Sequence, residues 1–485
     1  MAEAQQSSSG GILEQIIEEG HMASTDEQKA YASDLISAFV DQVLADEETP
    51  SKDAATLINA RIAELDDLIS LQLNEIMHHP DFQQLESAWR GLSFLVMNTE
   101  TSTRLKLRLL PIKRDELQKD LEKAVEFDQS NLFKKLYEEE YGTFGGSPFS
   151  CLIGDFEFGR HPKDIALLEM ISGVAAAAHA PFIAAASPKL FDLPSFTDLG
   201  NPRDLAKLFE STELLKWRSF RESEDSRYVV LTLPRALLRL PYGPDTVPVE
   251  EINFVEDVDG RDHSKYLWGN PAFVLGQRIT DAFAKYGWTA AIRGVEGGGL
   301  VEGLPAHTFH TDEGDIALKC PTEIAITDRR EKELSDLGFI SLVHCKGTDK
   351  AAFFGGQTAN KPKVYNTDFA NANARISAML PYIMASSRFA HYFKVIMRDK
   401  IGSFMTAGQV QNFLQTWISQ YVLLDDNASQ ESKARFPLRE ARVDVKEVPG
   451  KPGVYTATAF LRPHFQLEEL SASIRLVSEL PPPAA

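Results

Sequence analysis

The sequence predicts an α/β protein with an N-terminal helical arm, an α/β middle region and a C-terminal α+β region. Three observations predict it: two consecutive helical stripes between residues 57 and 97, strand-like and helix-like segments in alternation beyond residue 98, and period-two patterning towards the C-terminus.

The first helical signal is at residues 31–44, where Tyr31, Leu35, Phe39 and Val43 form one stripe and Ser24 with Glu27 can supply a capping box. In 57–97, Ile58, Ile62, Leu65, Ile69, Leu73 and Ile76 recur at steps of three and four, with Leu68 widening the stripe. Pro80 has no N–H and biases His79 away from helical geometry, so the helix ends there. Asp81 suits the first turn of a second helix, striped by Phe82, Leu85, Trp89, Leu92 and Val96. Together the two stripes carry more apolar surface than either helix can bury alone. They suit either an ordinary hairpin on its own core or a surface for another chain.

Residues 115–141 predict one long charged helix ending at Gly142, followed by a strand at CLIGDFEF (151–158) and a buried, Ala-rich helix at 163–179. PFIAAAS (181–187) and RYVVLTL (227–233) read as buried strands separated by a helical stretch at 202–224. A helix within 271–286 precedes strands at TEIAIT (322–327) and FISLVHC (339–345), with a charged helix at 328–336 between them. Two helices fill 371–421. REARVDVKEVPGKPGVYTATAFL (439–461) is a hairpin turning through Pro449 to Gly453, and ELSASIRLV (469–477) is a further strand with Leu470, Ala472, Ile474 and Leu476 on its apolar face.

A chain of 485 residues, 43% apolar, is long enough for two or three domains with sizeable cores. No run approaches the roughly 18 apolar residues of a membrane span, and the N-terminus lacks the basic start and apolar stretch of a secretory signal, which predicts a cytoplasmic protein without membrane insertion. Cys151, Cys320 and Cys345 are odd in number and widely spaced, which suits a reducing compartment. The net charge of −20 is uneven: residues 1–80 hold 16 acidic and three basic residues. Nucleic acid is thereby a poor partner, because phosphate binding needs clustered lysine and arginine. The acidic arm is either a solvated appendage or a helix presented to a basic surface.

No motif requests a catalyst, a cofactor or a metal. The Gly-rich run Gly294–Gly303 lacks the Gly-Lys-Ser/Thr end of a phosphate loop and carries Glu296 and Glu302 where an anion would sit, so it predicts a tight loop in which backbone approaches backbone. His78 and His79 splay apart on a helix, and His307 and His310 fall on opposite faces of a strand, so structural roles are expected for all four. The alternative function class is a cytoplasmic α/β enzyme whose site is assembled from distant residues.

The string QLNEIMHHPDFQQLESAWRGLSFLV (72–96) resembles the N-terminal signature of the large sheath subunit of type VI secretion systems, the TssC or VipB family. CLIGDFEFG (151–159), LWGNPAFVLGQRITDAFAKYGW (267–288), IRGVEGGGLVEGLPAHTF (292–309), RFAHYFKVIMRDKIGSF (388–404) and RPHFQLEELSASIRLVSELP (462–481) resemble segments of the same family in the same order. The resemblance implies a contractile-tail-sheath-like fold and a structural function. It divides the chain into an acidic arm (1–56), a helical pairing segment (57–104), an inserted middle domain (105–370) and an inner domain with a terminal exchange strand (371–485). It implies pairing with a small TssB/VipA-like subunit through Ile69, Leu73, Ile76, Phe82, Leu85, Trp89 and Leu92, and polymerisation with copies of itself. An Hcp inner tube, baseplate proteins and the ClpV disassembly ATPase are the further partners it implies.

Overall fold

The computed structural model describes residues 16, 17, 20, 23, 25–45 and 54–466, apart from 202, 203, 251, 404, 452 and 465. They divide into two compact units: one joins the chain up to Gln83 with Pro241–Asp259, and the other joins Gln84–Leu240 with the chain from Gly260.

The first unit contains α1 (Asp26–Ala45) and α2 (Ala54–Met77). The capping box of α1 lies one residue beyond the Ser24–Glu27 position the sequence suggests. The Gln28 N–H donates to Thr25 Oγ1 (3.4 Å) while the Thr25 N–H donates to Gln28 Oε1 (3.2 Å). As expected, α2 stops before Pro80, which opens α3 (Pro80–Met97) with Asp81 in its first turn.

In the second unit the predicted helix 115–141 is interrupted. α4 (Arg114–Lys123) ends at an extended Ala124, and Ser130 caps a new helical run whose last eight residues, Lys134–Tyr141, are π-helical. The Asp120 carboxylate accepts from the Asn131 and Leu132 N–H groups (3.1 and 3.0 Å), so a side chain of the first helix satisfies the start of the second. Next come β1 (Leu152–Phe158), α5 (Pro162–Ala178) and β2 (Phe182–Ala186). The helical stretch expected at 202–224 is broken into short pieces ending in α6 (Leu215–Glu222), and β3 (Val229–Leu233) follows.

α7 (Pro271–Tyr286) begins where Asn270 Oδ1 accepts from the Ala272 N–H (2.9 Å), and it ends at Gly287, whose φ of 75° is left-handed. β4 (Leu300–Val301), α8 (Asp328–Asp336), β5 (Phe339–His344) and β6 (Ala351–Phe353) complete this region. TEIAIT is not a strand. The Thr322 hydroxyl donates to the Ile324 carbonyl (2.9 Å) and bends the chain, leaving one isolated bridge from Thr322 to Ala236.

The sheet runs β1-β2-β3-β5-β6-β4, parallel through β5 and antiparallel beyond it. Alternate residues serve its two faces: Phe182, Ala184, Val229, Leu231 and Phe339 pack in the core containing α5, whereas Ile183, Val230, Ile340 and Leu342 pack in the core containing α7.

Residues 371–421 hold parts of three helices and not two: α9 (Asp368–Ile376), α10 (Leu380–Asp399) and α11 (Ala407–Ser419). The break between α9 and α10 falls at Ser377–Met379, beyond which Pro381 sits in the first turn of α10. The hairpin β7 (Leu438–Glu447) and β8 (Tyr455–Pro463) forms as predicted, and Trp288, Phe389, Leu414, Ile418 and Val443 make a third core with it. ELSASIRLV, with Leu470, Ala472, Ile474 and Leu476, lies outside the described residues.

Candidate assembly surfaces

α3 has apolar residues on two opposed faces. Its inward face carries Gly91 and Leu95, both buried; a Cβ on Gly91 would come within 2.5 Å of the Phe273 ring on α7, so only glycine permits this approach. Thr99, just past the helix, meets Thr280 of α7 at 2.9 Å between hydroxyl oxygens. Glu86 fixes the same helix by accepting from Arg90 Nε (2.7 Å) and Arg239 Nε (2.8 Å). The outward face carries Leu85, 57% exposed, and Trp89, 61% exposed, with Phe82 and Val96 also exposed and Leu92 half-buried. At 100° per residue these positions cluster roughly opposite Gly91 and Leu95.

On α2, Ile69 and Ile76 are exposed and Leu73 is half-buried. On the side of the helix away from Ile69 and Ile76 the sequence reading missed a polar device. The Asn74 amide donates to the Val255 carbonyl (3.2 Å) and accepts from the Asp257 N–H (2.7 Å), pairing with the extended segment as a peptide group would. Glu256, 4% exposed, accepts from the Tyr242 N–H (2.9 Å) and lies 3.3 Å from His78 Nε2. His78 is therefore a helix-end residue with a specific partner, whereas His79 is exposed. Asn74 and His78 are four apart and share the face that meets this segment, but polar residues are frequent along the helix, so nothing in the sequence singled them out.

The hairpin has two unlike edges. The Val443 and Val445 N–H groups of β7 donate to Gln415 Oε1 (2.9 Å) and Gln411 Oε1 (3.1 Å) of α11, so side-chain amides occupy that edge. Among the described residues, β8 pairs with no strand other than β7.

The Gly-rich loop behaves as its composition predicts. The Gly294 N–H donates to the Phe353 carbonyl (2.7 Å), and a Cβ on Gly298 would lie 2.3 Å from the Ala291 carbonyl oxygen. His307 is buried against the Tyr266 hydroxyl (2.6 Å), and His310 is exposed on the other face. Among the described residues, no group of three His, Cys, Asp or Glu is arranged to hold a metal ion. The hollow bordered by Trp288, Thr289, Arg388 and His391 encloses about 10 Å³, which accommodates at most a water. His391 is itself buried: Nε2 lies 2.9 Å from the Ala178 carbonyl, and Nδ1 has no hydrogen-bond partner. Burial pushes its pKa down to about 4 against the pull of that carbonyl, and positive Arg388 and Lys394 and neighbouring His179 lower it further. Burial lowers the pKa of His179 as well.

Residues 59–360 match the family described as EvpB/VC_A0108, tail sheath N-terminal domain, and residues 369–480 match the companion tail sheath gpW/gp25-like domain. The type VI secretion system sheath protein TssC1 of Pseudomonas aeruginosa is 53% identical over 460 residues, covering 94% of this chain and 92% of that one. The chain belongs to the type VI secretion sheath family. It is a structural subunit of the contractile sheath, and no relative found supports the α/β-enzyme alternative. Two solved assemblies are also similar. One is the anti-feeding prophage baseplate, with 11% identity, a TM-score of 0.35 and coverage of 65% of this chain and 66% of that one. The other is an extracellular contractile injection system, the PVC sheath complex in its contracted state, with 9% identity, a TM-score of 0.34 and coverage of 64% and 68%. In this sheath protein the two family matches meet between residues 360 and 369, immediately ahead of α9. Among the described residues, no helix is long and apolar enough to cross a membrane.

Proposed function

We propose that the outward stripes of α2 and α3 pair the chain with a small sheath subunit, and that the resulting heterodimers stack in the cytoplasm as a helical sheath around an Hcp tube. The observation that carries this reading is the two-faced α3, which spends Gly91 and Leu95 on its own core and leaves Leu85 and Trp89 uncovered. Large aromatic and aliphatic anchors contribute most to protein interfaces when a partner removes them from water.

Between protomers, the C-terminal strand of a neighbour adds to an open sheet edge, and the side of β8 away from β7 is one such edge among the described residues. Gln411 and Gln415 block the other side. Contraction then draws on the free-energy difference between two packings of the same protomers, with no catalytic step in this chain. Firing starts from a baseplate, and ClpV recovers the spent subunits. The inserted middle domain at 105–370 and the inner domain from 371 keep the places that the family resemblance implies. Co-expression with the small subunit and tandem affinity purification test the pairing: a stoichiometric complex is expected, and a monomer that elutes free of its partner refutes it.

A further inference from the structure

We propose that residues 104–112 accept an extended strand of the small sheath subunit in which acidic residues alternate with apolar ones, so that heterodimer pairing includes strand addition as well as the helix contact. This rests on the pairing reading above and deepens it by naming a second contact and the chemistry of the partner segment.

The first observation is a strand without a sheet. In RLKLRLLPI (104–112) bases alternate with leucines as far as Leu109, and residues 105–113 run without helix, turn or bend. Both ends are fixed. The Ser102 N–H donates to the Leu105 carbonyl (2.9 Å) and the Leu105 N–H to Ser102 Oγ (3.1 Å), while the Lys113 N–H donates to Glu116 Oε2 (3.1 Å) at the start of α4. Along its length, Arg108 pairs with Glu140 and its guanidinium lies 5.4 Å from the centre of the Phe149 ring, and Ile112 packs on the core containing α5. Between the two ends, the backbone of residues 106–112 makes no hydrogen bond to any described residue.

Such a segment differs from an ordinary solvated connection, which curves through Gly, Asn, Asp or Ser. Alternate side chains of an extended chain face opposite sides: Leu105 and Leu107 are half-buried, whereas Arg104, Lys106 and Arg108 are exposed. Leu109 is 63% exposed and Leu110 45%, so apolar surface is left uncovered towards the end. Held straight, with its peptide groups unpaired, the segment is a template for one more strand.

Charge and position identify the occupant. Residues 104–114 hold five bases and no acid in a chain of net charge −20. Directly opposed residues of paired strands share a face, so acids of the added strand meet Arg104 and Lys106 while its apolar residues extend the layer of Leu105 and Leu107. Six residues separate the segment from Met97, where α3 ends with Val96 and Met97 exposed, so one partner can cover both.

Hydrogen–deuterium exchange read by mass spectrometry tests this on the full chain, alone and co-expressed with the small sheath subunit of the same secretion system. In the chain alone, peptides covering 104–112 should exchange as unprotected amides. In the heterodimer about half of these amides, the alternate ones aimed at the added strand, should slow by at least about tenfold. Lys106→Pro and Leu107→Pro, made separately, remove donors from opposite edges; with folding verified by melting, one of the two should weaken pairing roughly tenfold, and wild-type exchange decides where a proline variant melts early. Arg104→Glu with Lys106→Glu should weaken pairing at low salt and less so near about 0.5 M. A heterodimer in which 104–112 exchanges as in the chain alone overturns strand addition and leaves the helix pairing standing. Slow exchange already present without the small subunit assigns the edge to this chain or a second copy of it and overturns the proposal. Failure of the two subunits to associate overturns both readings.

Discussion

Replacing Leu85 and Trp89 together with aspartate probes the outward face of α3. Trp89 is 61% exposed, and a tryptophan can bury up to about 250 Å², so its uncovered part is about 150 Å², or about 4 kcal/mol at roughly 25 cal/mol per Å². Leu85 is 57% exposed, and that fraction of a leucine adds about 1.5 kcal/mol. If a partner covers both, the loss is about 5 kcal/mol, or between three and four powers of ten in Kd, before the cost of desolvating two carboxylates. The folded chain should barely register the change, within about 0.5 kcal/mol, because neither side chain belongs to its core. Isothermal titration with the small subunit measures the first quantity, and urea denaturation of the isolated chain measures the second. Undiminished partner binding would refute the assignment of this face. Collapse of the isolated chain would show that the face is internal.

Other consequences are equally direct. Gly91→Val should destabilise the protein by about 2 kcal/mol or more in urea denaturation, because the added carbons meet the buried Phe273 ring. Burial holds His391 neutral, with its pKa down at about 4 against the ordinary imidazole value of 6.5. The unfolded chain therefore takes up a proton first as pH falls, and stability present above about pH 6.5 should drop by about 3 kcal/mol by pH 4. His391→Gln, which keeps a donor for Ala178, should flatten that acid limb in denaturation curves. Ending the chain after Phe465 should preserve folding and heterodimer formation, read by melting and co-purification, but abolish tubules; lost solubility would mean that the strand completes its own chain's sheet. Deleting residues 1–50 should leave heterodimers intact, and loss of pairing at every salt concentration would mean that the arm carries apolar contacts.

Local chemistry explains which parts of the fold were legible. α7 fills the span 271–286 within which the sequence predicts a helix, and Asn270, Pro271 and Gly287 mark its two ends. The buried strands β2 and β3 were legible as short apolar runs between turn signals. Errors arose where a tertiary contact overrides a local pattern. The 115–141 run looks continuous until Ser130 and the Asp120 carboxylate create a new helix start, and TEIAIT alternates like a strand but is turned by the Thr322 hydroxyl. Periodicity located the stripe of α3 without saying which way it faces. The deciding residue was Gly91, a mid-helix glycine that marks the side of closest approach. The contact of 241–259 with α2 was not legible because its partners are about 180 residues apart in sequence.

Negative-stain electron microscopy of the chain co-expressed with its small subunit tests the central claim most directly. Tubules or cogwheel-like rings are the predicted result, lost in the Leu85→Asp, Trp89→Asp variant. Compact particles of uniform size from the stoichiometric, undegraded pair would contradict it.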